Sequence, residues 1–160
     1  MTPPIRTVLW FNGRGREAAE FYCSLIPNSR IEGSYANNNG GADGKMWFEV
    51  TDLTLNGAGY QILDAGPMFP LSPCVSVMVL TPDQAETDRL WEALVEGGGS
   101  HSVCGWLQDR FGLSWQITPE RVMHLLTGPD RGQAERAHAA VMQMTKLDLA
   151  AIEAAAIRPA

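Results

Sequence analysis

PCVSVMVLTPDQAETDRLWEALV, residues 73–95, begins as a strand and passes into a helix without a linker. From Pro73 to Leu80, Val75, Val77 and Val79 alternate with Ser76, Met78 and Leu80, the period of a β-strand. Thr81-Pro82-Asp83-Gln84 then reads as a helix start. Thr81 can cap the amide of Gln84, Gln84 can return the bond, and Pro82 has φ preset for the first helical position. The helix carries Thr87, Leu90, Trp91, Leu94 and Val95 and is predicted to stop at Gly97-Gly98-Gly99. A hairpin follows, Ser102–Gln108 and Leu113–Thr118, turning through Asp109 to Gly112.

The same order stands earlier in the chain. Ile5–Phe11 is rich in β-branched and aromatic residues and reads as a strand, broken by Asn12-Gly13. Ala18, Phe21, Tyr22 and Leu25 then mark one face of a helix that Pro27-Asn28 stops. Arg30–Tyr35 is a short strand candidate, and ANNNGGADG (Ala36–Gly44) reads as a mobile loop. Lys45–Leu55 and Tyr60–Leu63 are two strands joined by Asn56-Gly57, a strong hairpin signal. The chain therefore reads as α+β, two tandem βαβββ modules with curved mixed sheets: residues 1–66, then 70–118. One such unit leaves an apolar sheet face open, and two together can cover it. Residues 119–160 carry three further helices. They start at Thr118-Pro119, at Asp130 and near Leu147, and they cover the sheets or mediate self-association.

Composition bounds the function. The 160 residues are 45% hydrophobic and 19% charged, which excludes disorder, and the net charge of -6 excludes a nucleic-acid surface. Arg14, Arg16, Arg110, Arg121, Arg131 and Arg136 are scattered among acids. No apolar run approaches the roughly 20 residues of a membrane span, and the N-terminus has no signal-peptide core. Cys23, Cys74 and Cys104 form no CxxC pair and read as reduced thiols of a cytoplasmic protein.

LWFNGRGREAAEFY (Leu9–Tyr22), TPDQAETDRLWEAL (Thr81–Leu94), CGWLQDRFGLSWQITP (Cys104–Pro119) and MTKLDLAAIEAA (Met144–Ala155) resemble the PhnB-like family. That family belongs to the vicinal oxygen chelate superfamily of glyoxalases, bleomycin-resistance proteins and extradiol dioxygenases. The resemblance implies the glyoxalase/bleomycin-resistance fold in a homodimer, with a cleft that in many relatives holds a divalent metal. The family is also labelled a 3-demethylubiquinone-9 3-methyltransferase, although the chain has no GxGxxG turn for a nucleotide cofactor.

Carrying over the superfamily's metal positions gives Thr7, Gln61, Val75 and Gln116. This is a poor donor set. Val75 cannot ligate, Thr7 is a weak neutral oxygen, and neither glutamine brings charge. No cofactor is therefore expected, a divalent metal being the alternative, with Thr7, Gln61 and Gln116 as its candidates. The expected partner is a small organic ligand in an aromatic-lined cleft built from Trp10, Trp47, Cys104, Trp106, Trp115 and Gln116. Indoles offer large contact area and one N–H donor. For Cys104, a buried structural thiol is the simpler reading, because no base is predictably adjacent. Each tryptophan reads equally as plain core packing. His101 reads as a surface residue at a strand start, His124 and His138 as helix-surface residues, and Asp109 as a turn stabiliser. The competing function is a metal-dependent lyase, isomerase or dioxygenase. The labelled methyltransferase and a regulatory member acting through its dimer surface stand behind it.

Overall fold

The computed structural model describes residues 5–37 and 47–157. Its elements run β1 (Thr7–Phe11), α1 (Gly15–Leu25), β2 (Arg30–Asn37), β3 (Phe48–Leu55), β4 (Ala58–Asp64), β5 (Ser76–Thr81), α2 (Gln84–Val95), β6 (Ser100–His101), β7 (Trp106–Gln108), β8 (Ser114–Pro119), α3 (Glu120–Leu126), α4 (Arg131–Val141) and α5 (Leu149–Ile157). The chain divides into two compact units, residues 1–71 and 72–160. Each holds one four-stranded mixed sheet, ordered β1-β4-β3-β2 in the first and β5-β8-β7-β6 in the second. These are the two βαβββ modules read from the sequence. The loop expected at Ala36–Gly44 lies mostly outside the described residues, as do Lys45 and Met46 of the strand expected at Lys45–Leu55, while Ala36 and Asn37 extend β2. No helix among the described residues is long and apolar enough to cross a membrane.

In the first unit, β1 pairs in parallel with β4, Thr7 opposite Tyr60 through Phe11 opposite Asp64. Side chains alternate across a strand, so Leu9, Phe11, Ile62 and Asp64 share one face, and Val8, Trp10, Gln61 and Leu63 the other. Helix α1 lies on the Ile62 face. At Gly15, its first residue, an added Cβ would stand 2.7 Å from Ile62 Cγ2 and 3.0 Å from Asp64 Cβ. The buried Asp64 carboxylate accepts the N–H groups of Gly13 (2.5 Å) and Gly15 (2.6 Å) and so caps the helix start from across the sheet. At the predicted hairpin, Asn56 (φ 44°) and Gly57 (φ 87°) both take the left-handed backbone that the tight turn requires.

The second unit repeats the arrangement with different chemistry. Helix α2 starts two residues later than the capping pattern suggests. Asp83 is the cap and accepts from Glu86 N at 2.8 Å, while Thr81 turns its hydroxyl to Thr87 beneath the helix, 2.5 Å away. The competing acceptor won: Asp is at least as good a cap as Thr, and Pro82 extends the entry instead of opening the helix. The strand expected at Ser102–Gln108 is two strands. Ser102–Gly105 turns the chain back between β6 and β7, with Cys104 (φ 58°) and Gly105 (φ 81°) both left-handed.

That turn anchors the C-terminal helices. Cys104 N donates to Met144 O at 2.7 Å and Gly105 N to Thr145 O at 2.8 Å. Gln84 clamps the same segment, its amide donating to Leu147 O (3.0 Å) and accepting from Leu149 N (2.8 Å). Val122, Leu125, Ala137, Val141, Leu147, Ile152 and Ala156 bury a separate small core. Lys146 pairs with Asp88 at 2.6 Å.

The main core of the second unit rests on Asp109. Its carboxylate accepts from Phe111 N (2.8 Å), Leu113 N (3.1 Å) and the indole N–H of the fully buried Trp115 (2.8 Å). Asp109→Ala leaves three donors without this acceptor and is expected to cost about 3 kcal/mol, read from urea denaturation; a loss below about 0.5 kcal/mol would show that the carboxylate is dispensable. The hydrogen bonds from Lys146 and then Gln84 hold Asp88 below the ordinary carboxylate value of 3.8. A depressed value means that the stabilisation is complete above 3.8 and is lost as pH falls through the lower, folded value. The exposed pair is expected to contribute less than about 1 kcal/mol. The stability gap between wild type and Asp88→Asn at about pH 7 should therefore narrow as the pH falls below 3.8.

Candidate functional site

Helix α2 covers the face of the second sheet that carries Val77, Val79, Thr81, Trp115 and Ile117, as the Thr81–Thr87 bond shows. The opposite face is open along β5, while Ser114 and Thr118 of β8 are buried on it. Across β5, β8 and β7 it presents the row Met78–Gln116–Trp106, in direct register. Met78 and Leu80 are exposed on this face, 44% and 49% accessible, and Trp106 is half-buried. Gln116 Nε2 donates to Ser76 Oγ at 2.8 Å, which fixes the amide between a thioether and an indole. Beside Trp106 lies a recess of about 220 Å3, lined by Pro73, Ser100, Ser102, Gln108 and Ser114 among others.

The first unit carries a corresponding row, Val8–Gln61–Asp52, across β1, β4 and β3. Gln61 Nε2 donates to Asp52 Oδ1 at 2.9 Å. Trp10 shares this open face. Its indole N–H is bonded to Gly66 O at 2.8 Å, and its ring meets Phe69 edge-on at 4.9 Å. Tyr35 and Phe48 stand on the same side in register with Val50 and Asn37. A recess of about 400 Å3 lies at the start of α1, lined by Trp47, Glu49, Asp64 and the 13–17 segment. On its rim Arg14 pairs with Glu17 and Arg16 with Glu20.

Within their own units the six cleft candidates fall on different faces. Trp106 and Gln116 share the open face of the second sheet, and Trp10 lies on the open face of the first. Trp47 is 48% exposed beside the α1 recess, on the same side as Glu49 and Asp64 and away from Trp10. Trp115 is in the core, fully buried, with its N–H held by Asp109. Cys104 is half-buried in the anchoring turn, its Sγ 3.6 Å from Met142 Sδ. Its backbone is what the turn uses.

The metal positions fare no better. Thr7 lies opposite Tyr60 and Gln61 opposite Val8, so the side chains of Thr7 and Gln61 point to opposite faces of one sheet. Exposed Val75 precedes β5 and has no donor. The first-strand neighbours of the two glutamines are Val8 and Met78, an alkyl group and a soft thioether, where a hard divalent cation needs carboxylate or imidazole. Among the described residues no three His, Cys, Asp or Glu side chains converge. The residues present do not fit the superfamily's metal.

His101 is exposed on β6 but engaged: Trp91 Nε1–H donates to its Nδ1 at 2.9 Å and the rings stack at 5.4 Å. Sequence reasoning missed Ser76, Met78 and Asp52 as site residues. The alternation in VSVMVLT already placed Ser76 and Met78 on one face, but which face stays open depends on the helix above it.

The family model described as 3-demethylubiquinone-9 3-methyltransferase matches residues 3–118. A solved PhnB protein of Bacillus cereus, titled a putative 3-demethylubiquinone-9 3-methyltransferase, is 29% identical. The match covers 73% of this chain and 99% of that one, with a TM-score of 0.64. A protein of Pseudomonas aeruginosa is 24% identical over 74% of this chain and 98% of its own, with a TM-score of 0.60. The trypanothione-dependent glyoxalase I of Leishmania major is 9% identical, covering 77% of this chain and 90% of its own, with a TM-score of 0.51, and shows the shared fold alone. No curated protein matches the chain.

Proposed function

The chain belongs to the PhnB-like family of the vicinal oxygen chelate superfamily, described as 3-demethylubiquinone-9 3-methyltransferase, and we propose that it binds a small organic molecule without a catalytic metal. The observation that carries this reading is the row Met78–Gln116–Trp106 on the open face of the second sheet. Exposed thioether and alkyl groups favour an apolar or planar body, whose burial against them is worth about 25 cal/mol per Å2. The indole offers a flat wall. The Gln116–Ser76 pair supplies one oriented polar point, the usual composition of a small-molecule site.

The reading takes up neither the metal-dependent chemistry of the superfamily nor the methyl transfer in the family's description. The donors carried over for a metal point to different faces or are amides already engaged. A dinucleotide or methyl-donor site of the doubly wound kind is built at the carboxyl ends of a parallel sheet. Each sheet here is a four-stranded mixed one with a single parallel pair. The homodimer implied by the superfamily belongs to the proposal as well. Its support is the edge position of β1 and β5, whose unpaired backbone groups invite further pairing. Free Cys23, Cys74 and Cys104 support a reducing, cytoplasmic setting.

Two measurements test this. Elemental analysis of protein dialysed without chelator is expected to find well under one divalent metal per chain, with a solution mass near twice 17.4 kDa; a full equivalent of metal would overturn the reading. Planar aromatic probes are expected to change the tryptophan emission, and Trp106→Ala to weaken their binding about tenfold. Unchanged affinity in that variant would remove the open face of the second sheet from the site.

A further inference from the structure

Gln61 and Gln116 hold one and the same position in their two sheets. Val8 faces Gln61 across β1 and β4, and Met78 faces Gln116 across β5 and β8. Each first-strand partner stands three residues before its strand ends, at Phe11 and at Thr81. In each unit a neighbour on the same face takes the amide N–H, Asp52 in the first and Ser76 in the second. A primary amide whose NH2 is engaged on one side turns its carbonyl oxygen to the other. Among the described residues the printed bonds of both amides run through their NH2 groups, and neither Oε1 is buried without a partner, which leaves each carbonyl as an acceptor for a ligand.

We propose that each of these glutamines is an oriented hydrogen-bond acceptor, on its own sheet, for a donor group of a ligand, and that the ligand class is an apolar or aromatic molecule bearing a hydroxyl or N–H. This rests on the binding reading above and adds polarity to it. In the second unit the acceptor sits between Met78 and Trp106, so the donor enters with its apolar body against both. In the first unit Asp52 lies next to Gln61 and adds a carboxylate. Gly33, opposite Asp52 at the bulge of β2, has open space where a side chain would stand. Arg6, the nearby cation, is engaged with Glu32 and with the carbonyls of Leu53 and Tyr60. Carbonyl and carboxylate oxygens repel an anionic ligand and are themselves left without a donor when the ligand's hydroxyl is methylated. Discrimination should therefore run hydroxyl over ether and neutral over anion.

Naphthol, methoxynaphthalene and naphthoate share one apolar body and differ at that point alone. Titrated against the full chain, with the side-chain NH2 signals of Gln61 and Gln116 followed by NMR, naphthol should bind about fivefold to tenfold tighter than methoxynaphthalene, the factor one hydrogen bond provides. Naphthoate should bind weakest. The double variant Gln61→Leu/Gln116→Leu should bind naphthol and methoxynaphthalene equally. Gln116→Glu, which keeps an acceptor that the Ser76 hydroxyl can orient, should retain the preference in the second unit. Equal binding of naphthol and methoxynaphthalene by wild type, or tightest binding of naphthoate, would overturn the acceptor assignment and leave the binding reading standing. No shift with any of the three would overturn both.

Discussion

The parallel pairing of each unit's first strand with its last, β1 on β4 and β5 on β8, decides which side chains can meet. A parallel pair needs a crossover, and the crossover helix must lie on one face of the sheet. Once α1 covers Ile62 and α2 covers Thr81, the two-residue period assigns every other strand residue to the covered or the open face. A shift of one residue would exchange the two sets. The last strand of each pair is held at one end by a buried carboxylate that accepts N–H donors. Asp64 holds the entry of α1 to the end of β4, and Asp109 holds the β7–β8 turn to the indole of Trp115. Both are buried to 3% accessibility, and both use the charge of an acid to satisfy backbone amides that the sheet leaves over.

Most of the architecture was legible because it rests on local rules. The valine alternation of 75–79, the Asn56-Gly57 turn and the glycine stop after Val95 each specify one element without reference to the rest. The misreadings fall where a distant partner decides. Thr81 yields the cap to Asp83 because Thr87 offers its hydroxyl a buried partner. The strand at 102–108 breaks because Cys104 and Gly105 turn their amides to carbonyls some 40 residues away, at Met144 and Thr145. The site was legible only in part, since residue types are visible in a sequence and faces are not. Gln116 and Trp106 belong on one open face, whereas Trp115, one residue from Gln116, is core by the same alternation.

The two glutamines show how a position can outlast its chemistry. Both stand on the last strand of their module, opposite the first strand, at positions that the family resemblance offered for metal donors. Here the first strand brings Val8 and Met78, and the amides are tied to Asp52 and Ser76. A neutral amide with its N–H engaged has lost half of its hydrogen-bonding freedom and gained a direction. Direction is what a recognition site needs, and charge is what a metal site needs. The same architecture of sheet and helix can carry either, so the fold alone does not name a reaction.

The Cys104–Gly105 turn also sets an order of events during synthesis. Every backbone partner of the first sheet lies between Thr7 and Asp64, so that sheet can close as soon as those residues have left the ribosome. The second sheet has its last strand at Ser114–Pro119, yet the amides of its β6–β7 turn wait for Met144 and Thr145, and the side chain of Gln84 waits for Leu149. Translation at about 5–20 residues per second separates the strand from its lock by one to several seconds. During that interval the nascent second unit has its strands but lacks the latch that holds the turn, a window that a chaperone or a protease would meet and that the first unit does not offer.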